Sequence, residues 1–347
     1  MTCDYIIVGF GLAGVMLCET LHKRGKSFVV ISNTSQRASV VASGLYNPVV
    51  LKRFNKAWNA EQHLPVALKA YETLETLLNL KIDDRRPIYR LFNSIEEQNN
   101  WFLACDKPSL QPFLIPEIIT NTNDNISAPY GFGQVKHTGR VDTRLLLQNY
   151  QKFLNVKNTF TQETFDYESL ECTDDGISYK GIQSKYLLFA EGFGLTKNPF
   201  FNTLPLEGTK GELLVIFAPE LQLNVILKSS IFIIPIGKDR YLVGSTYAWK
   251  DYTNTPTETA KIDLIQKLRV VIKCQFEVVE HRAGIRPTVV DRRPLVGQHP
   301  FHKNLYVLNG LGSRGVLIAP AMAKHLVEYI EDGEPLPKEI DINRFLG

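Results

Sequence analysis

Cysteine is scarce in this chain of 347 residues. There are five (Cys3, Cys18, Cys105, Cys172 and Cys274), an odd number, and no two have metal-ligand or redox spacing. This excludes a disulfide framework and a thiolate metal centre, and it points to reduced thiols in a cytoplasmic setting. The seven histidines show no metal spacing either, and no Ser-His-Asp constellation is evident, so no metal is expected. Long apolar runs are also missing. No segment reaches the roughly 18 residues of a membrane span. The apolar run near the start has no basic region before it and is broken early by glycines, so it reads as a core strand and not a signal peptide. Charge of one sign is not in excess: 39 Lys plus Arg against 36 Asp plus Glu, a net +3. That suits an anionic ligand and is too weak to argue for nucleic acid by itself. What remains is 44% hydrophobic and 22% charged residues, enough for two modest domains with real cores.

Residues 4–14 organise the rest. An apolar run ends in Gly9-Phe10-Gly11-Leu12-Ala13-Gly14 and continues into an amphipathic segment closed by Lys23-Arg24-Gly25. That is strand, tight turn and helix, the first unit of a dinucleotide-binding fold. Gly9 allows the turn, Gly11 lets backbone touch a pyrophosphate, and Gly14 lets helix and strand pack closely. The pyrophosphate sits on the free N–H groups of the helix start. The acidic residue expected about 20 positions on, to grip a ribose hydroxyl, is absent. Ser32 and Asn33 stand there and offer uncharged hydrogen bonds.

Further along, small residues around Ala42, Ser43 and Gly44 suit a backbone running under a flat ligand. Residues 58–80 carry apolar positions at helical spacing. Ser94 and Glu97 have capping-box spacing. Residues 107–129 read as loop, 144–154 as a helix, and 156–160, 169–173 and 176–180 as short strands. Residues 186–189 form a buried strand that runs into Ala190, Glu191 and Gly192, a second place where backbone approaches a cofactor. Residues 211–244 hold several strands parted by tight turns, followed by a helix over 257–271, which suggests a mixed or antiparallel sheet. A strand at 304–308 runs into Asn309-Gly310-Leu311-Gly312-Ser313-Arg314-Gly315, and the closing helix is expected to start near Pro320. Arg314 in that turn, and Arg286 in Ala283-Gly284-Ile285-Arg286-Pro287-Thr288, are anion-clamp candidates.

Four motifs in order resemble the FAD-dependent D-amino acid oxidase family, which includes glycine oxidase and sarcosine oxidase. They are the N-terminal glycine turn, Ala190-x-Gly192, the Gly284 to Thr288 segment, and Gly312-Ser313-Arg314-Gly315. The resemblance covers nearly the full length. It implies an α/β fold: a Rossmann-type FAD-binding domain with a second, α+β substrate domain on a mixed, largely antiparallel sheet. The FAD-binding domain is expected over 1–50, 138–204 and 282–347, and the substrate domain over 51–137 and 205–281. The resemblance places Gly9 to Gly14, Ser32, Asn33, Ala42, Ser43, Gly44, Ala190, Gly192, Gly312, Ser313, Gly315 and Val316 against FAD. It assigns Arg286 and Arg314 to the substrate carboxylate as the catalytic residues. No cysteine matches the position of covalent flavin in sarcosine oxidase, so noncovalent FAD is expected. Two departures are notable: Glu191 stands where the family has a small residue, and Phe232 replaces a carboxylate-binding tyrosine.

The expected activity is oxidation of an amine or amino acid, an N-substituted glycine or a D-amino acid, by hydride transfer to flavin, with hydrolysis of the imine. Leu311 to Gly315, and Ala38-Ser39 before Gly44, also resemble the FAD domain of the bifunctional enzyme that matures wobble uridine in tRNA. The alternative reading is therefore a flavoenzyme that removes a carboxymethyl group from tRNA, with Lys52, Arg53, Lys56, Arg85 and Arg86 as a basic rim. The oligomeric state is not set by the sequence.

Overall fold

The computed structural model describes residues 1–33, 35–173 and 175–345. Two large sheets face each other. The first has five parallel strands, in the order Phe160–Thr161, Phe28–Ile31, Thr2–Val8, Ile182–Phe189 and Leu305–Asn309. Three antiparallel strands extend it: Gly176–Tyr179, Leu170–Thr173 and Leu295–Gln298. The central strands are buried on both faces. Tyr5, Ile7 and Val30 point to one core, and Ile6, Val8, Val29 and Ile31 to another. That is why the first strand reads as an unbroken apolar run and not an alternating one. Helices Leu12–Lys23 and Gly315–Asp332 pack together on the first of these faces.

Register fixes where the loops meet. Val8 pairs with Phe189, and Phe189 with Val307. The turns that follow these three strands therefore emerge side by side at the carboxyl edge of a parallel sheet, where ligands bind in open α/β folds.

The second sheet has seven strands, in the order Glu277–Val289, Leu206–Phe217, Arg240–Gly244, Phe232–Pro235, Ile226–Lys228, Ile88–Leu91 and Phe132–Val135. Only Ile226–Lys228 against Ile88–Leu91 is parallel, so this sheet is mixed and largely antiparallel. One face buries Leu214, Ile216, Leu227 and Val243 against Leu264 and Leu268 of helix Glu258–Val271. The other face presents Leu213, Val215, Phe232, Ile234 and Leu242 towards the first sheet.

Two elements differ from expectation. Residues 156–160 are not a strand: helix Thr143–Val156 runs through the first of them, and only Phe160–Thr161 pairs, along the sheet edge. The last helix begins at Gly315, five residues before Pro320. Proline has no N–H, so it cannot close the helical bond to the carbonyl four residues back, at Val316. The Tyr71 hydroxyl takes that place, donating to Val316 O at 2.7 Å. Helix Ala60–Leu78, which carries Tyr71, thereby lets the last helix continue through its proline.

Candidate FAD and substrate site

The glycine turn is built by close approach. A Cβ on Gly9, whose φ is +105°, would lie 2.4 Å from Ala190 O; one on Gly14 would lie 2.3 Å from Gly9 O. Strand, turn and helix are thus packed to backbone contact, as sequence spacing requires. A Cβ on Gly11 would meet only the Ser39 hydroxyl, at 3.0 Å. Leu12 N–H, at the helix start, donates to that hydroxyl at 3.0 Å. Ala13 continues the first turn, buried, and Phe10 packs edge-on against Phe160 at 5.2 Å. The other turns converge here. Ala190 N–H donates to Val8 O, Asn309 Nδ2 to Gly192 O, and Gly312 N–H to Pro287 O, at 2.7, 3.0 and 2.8 Å. Gly312, Ser313, Gly315 and Val316 thus sit at the N-terminus of an 18-residue helix. Its free N–H groups favour negative charge there.

Residues 37–44 run between these turns and the second sheet. A Cβ on Gly284 would lie 3.3 Å from Val41 Cβ, so strand Glu277–Val289 passes close under helix Ala38–Val41. Ala42 ends that helix. Ser43 O accepts from Arg140 Nε at 3.1 Å, and Gly44 O accepts from Val141 N–H at 3.0 Å. At the ribose position, Asn33 uses both ends of its amide within the protein: Nδ2 donates to Thr164, and Oδ1 accepts from Ser35. Ser32 donates to Asn33 O at 3.0 Å. Glu191 points away from these turns, accepting from Tyr167 at 2.5 Å and Asn198 at 2.7 Å. Burial pushes its carboxyl up, and these hydrogen bonds oppose the shift.

Arg286 reaches over the neighbouring strand. A Cβ on Gly211 would fall 1.9 Å from Arg286 Nη2, so a glycine is what gives the guanidinium its place. Nη2 donates to Ser245 Oγ at 2.9 Å, and the Tyr247 ring lies 4.5 Å from the guanidinium carbon. Burial pushes the Arg286 pKa down, and Tyr247 acts the other way. Arg314 caps the last helix. Burial and then Arg293 push its pKa down, while Tyr247 again opposes. Among the described residues no carboxylate pairs with either arginine. Neither guanidinium has an anionic partner among the described residues, a condition that favours binding of an anion.

Residues 4–329 match the family model described as DAO, FAD dependent oxidoreductase. The chain belongs to this family. It is similar to the glycine oxidase of Pseudomonas putida, 30% identical over 137 residues, which are 38% of this chain and 37% of that protein. It matches the tRNA 5-methylaminomethyl-2-thiouridine biosynthesis bifunctional protein MnmC of Azoarcus at 27% over 176 residues, 45% of this chain and 28% of that protein. To the glycine oxidase of Geobacillus kaustophilus it is 27% identical over 261 residues, 73% of this chain and 67% of that protein. The chain thus spans about a third of the length of the first two relatives in the matched regions. In fold it matches glycine oxidase from Geobacillus kaustophilus with a TM-score of 0.78 at 18% identity, covering 96% of each chain. It also matches L-amino acid deaminase from Proteus vulgaris, with a TM-score of 0.79 at 14% identity, over 99% of this chain and 97% of that one.

FAD is the cofactor of this family, and the residues fit it. At the backbone cradle of Gly9 to Gly14 only the Ser39 side chain lies over Gly11, and the N-terminus of the last helix supplies further free N–H groups. Sequence reasoning named Ser39 only within a motif and missed Gly211 and Tyr247. Ser39 lies beside the pyrophosphate turn, Gly211 beneath Arg286, and Tyr247 over it. Tyr247 brings a phenol to a site where Phe232 offers none. Only Ser39 carried a local signal, as a small hydroxyl in a small-residue stretch. The proposed basic rim is mostly internally paired: Lys56 with Glu61, Arg85 with Asp83 and Arg86 with Asp84, at 2.9, 2.9 and 2.7 Å. Lys52 and Arg53 have no ion pair among the described residues. None of the described residues forms a group that could hold a metal ion, and none of the described helices is long and apolar enough to cross a membrane.

Proposed function

We propose that this enzyme oxidises a small amine bearing a carboxylate, an N-substituted glycine or a D-amino acid, with FAD held noncovalently, in the cytoplasm. The observation that carries the reading is Arg286: a guanidinium with no acid partner among the described residues, seated over Gly211 and faced by Tyr247. Arg286 and Arg314 take the substrate carboxylate, and that fixes the C–H next to nitrogen relative to the ring. FAD, when bound, supplies the hydride acceptor. The helix start at Gly312 to Val316 would favour negative charge on the bound group. Burial of the Arg286 guanidinium strengthens its attraction for an anion. The imine product hydrolyses in water to a carbonyl compound and an amine. Positioning and electrostatics are the protein's share.

The test is anaerobic flavin bleaching with glycine, sarcosine and D-amino acids, then kinetics on Arg286→Ala and Arg314→Ala with FAD content measured. Loss of one charge-assisted anchor, worth about 1.5–3 kcal/mol, lowers kcat/KM roughly ten- to a hundredfold. Arg286→Lys fails too, because a point charge does not reproduce a bidentate fork. Wild-type turnover in both alanine variants would remove the assignment, and loss of FAD would move the arginines to the cofactor site.

A second reading, removal of a carboxymethyl group from tRNA, draws support from the exposed aromatics Tyr247, Trp249 and Tyr252 beside the clamp. Arg292 stacks on Trp249 and Arg293 on Trp58, each at 4.9 Å. Aromatic faces with interleaved arginines suit unstacked bases.

A further inference from the structure

Strand register lays one row of residues across the second sheet, on the face turned to the first. Leu213 pairs with Gly244, Gly244 with Phe232, Phe232 with Lys228, and Lys228 with Arg90. The Arg286 guanidinium lies at one end of this row, over Gly211 and against Ser245, the residue after Gly244. Strands in a sheet are about 4.8 Å apart, so Lys228 stands two strands, about 10 Å, from the strand that ends at Gly244.

The far end of the row carries more positive charge than the protein neutralises. Lys228 makes one hydrogen bond, to Ser230 O at 3.4 Å, and no ion pair among the described residues. Burial, and then the neighbouring Arg90, lower its pKa to about 8. Arg90 uses Nη2 on Glu97 at 3.2 Å, and its Nε is buried without a partner. Of these two adjacent cations only Arg90 has a carboxylate partner among the described residues, and a buried donor is left over. An arrangement of this kind costs stability unless something else pairs with it. A substrate as short as glycine, anchored at Arg286, does not reach it.

We propose that Lys228 and Arg90 form a second anion subsite, and that the preferred substrate is a dicarboxylic amine. One carboxylate sits on the Arg286–Arg314 clamp, and the other, on the arm beyond the reacting nitrogen or α-carbon, sits on Lys228 and Arg90. The Leu213 and Phe232 side chains close over Gly244 and make an apolar floor between the two anion sites for the intervening methylenes. The assignment rests on the amine-oxidation reading for its substrate class. Its charge logic stands on Lys228 and Arg90 alone.

The experiment uses the FAD-loaded enzyme. Acetate and glutarate, neither of them oxidisable here, are titrated while the visible flavin spectrum is followed. Glutarate is expected to bind about tenfold or more tightly than acetate. That advantage is lost in Lys228→Met and kept in Lys228→Arg. In turnover, the ratio of kcat/KM for N-(2-carboxyethyl)glycine to that for sarcosine falls about tenfold or more in Lys228→Met, and Arg90→Gln moves it the same way. Glutarate binding no better than acetate, or a preference that survives Lys228→Met, overturns the subsite. If no amine reduces the flavin while glutarate keeps a Lys228-dependent advantage, the oxidase reading falls and the subsite stands.

Discussion

Arg286 is placed by what is missing beneath it. The Gly211 position has no Cβ, and the guanidinium occupies that space. Gly211→Ala therefore puts a methyl group into the clamp and not into the core. We expect kcat/KM to fall by roughly tenfold or more with FAD content kept, read by steady-state kinetics and flavin absorbance. Gly9 behaves differently, since its Cβ would meet Ala190 O at 2.4 Å and its φ of +105° disfavours any side chain. Gly9→Ala is expected to cost about 1–3 kcal/mol in backbone strain and to expel FAD. Protein that still purifies with a full complement of flavin would contradict that expectation.

Among the elements, the last helix depends on a neighbour. Pro320 frees Val316 O, and Tyr71 satisfies it from inside the core. Tyr71→Phe leaves that carbonyl buried and unpaired, a loss of about 1–3 kcal/mol seen as a lower urea midpoint. The segment 245–257 that carries Tyr247 is fastened from below. Lys210, fully buried, donates to Asp251 at 2.6 Å and to Thr255 O at 2.5 Å. Hydrogen bonds from Lys210 and then Thr253 lower the Asp251 pKa to about 2. The unfolded value is ~3.9, so this fastening is complete above about pH 4 and is lost as pH falls towards 2. An acid titration followed by the fluorescence of Trp249, which lies in this segment, should show that loss in the wild type. In Asp251→Asn it should be absent, because no carboxylate titrates there.

At the scale of the molecule, two sheets face one another, and the proposed site takes the carboxyl edge of the first and the inward face of the second. Small amine and tRNA make different demands on that surface. Counterion release makes tRNA turnover fall steeply with salt, with log K dropping by about 0.7–0.9 per log unit of salt for each phosphate contact. Oxidation of a small amine does not carry that slope. If modified tRNA is the substrate, Arg292→Ala and Arg293→Ala should flatten it. If glycine or sarcosine bleaches the flavin and salt changes little, the small-molecule reading holds.

The first strand, turn and helix were legible in consecutive residues. Residues 4–31 are local: an apolar run, three glycines and a basic helix end specify strand, turn and helix without help from elsewhere. Gly312 to Gly315 and Ala190 to Gly192 were legible for the same reason, since a glycine turn after a buried strand is written in consecutive residues. Helix Thr143–Val156 overran the expected strand because its capping aspartate and apolar face outweighed the β-branched Val156. The early start of the last helix was hidden because the partner of Val316 O lies on Tyr71, 245 residues away. Beyond Arg286 and Arg314, the surroundings proposed for the substrate emerge only once the chain is packed. Gly211, Tyr247, Lys228 and Arg90 come from four different segments and carry no local pattern; strand register puts Gly211, Lys228 and Arg90 on one face, and the segment after Gly244 brings Tyr247 over Arg286. A dinucleotide turn is a property of adjacent backbone atoms, whereas a charged substrate wall is a property of which strands pair, and pairing is settled only when the whole chain is packed.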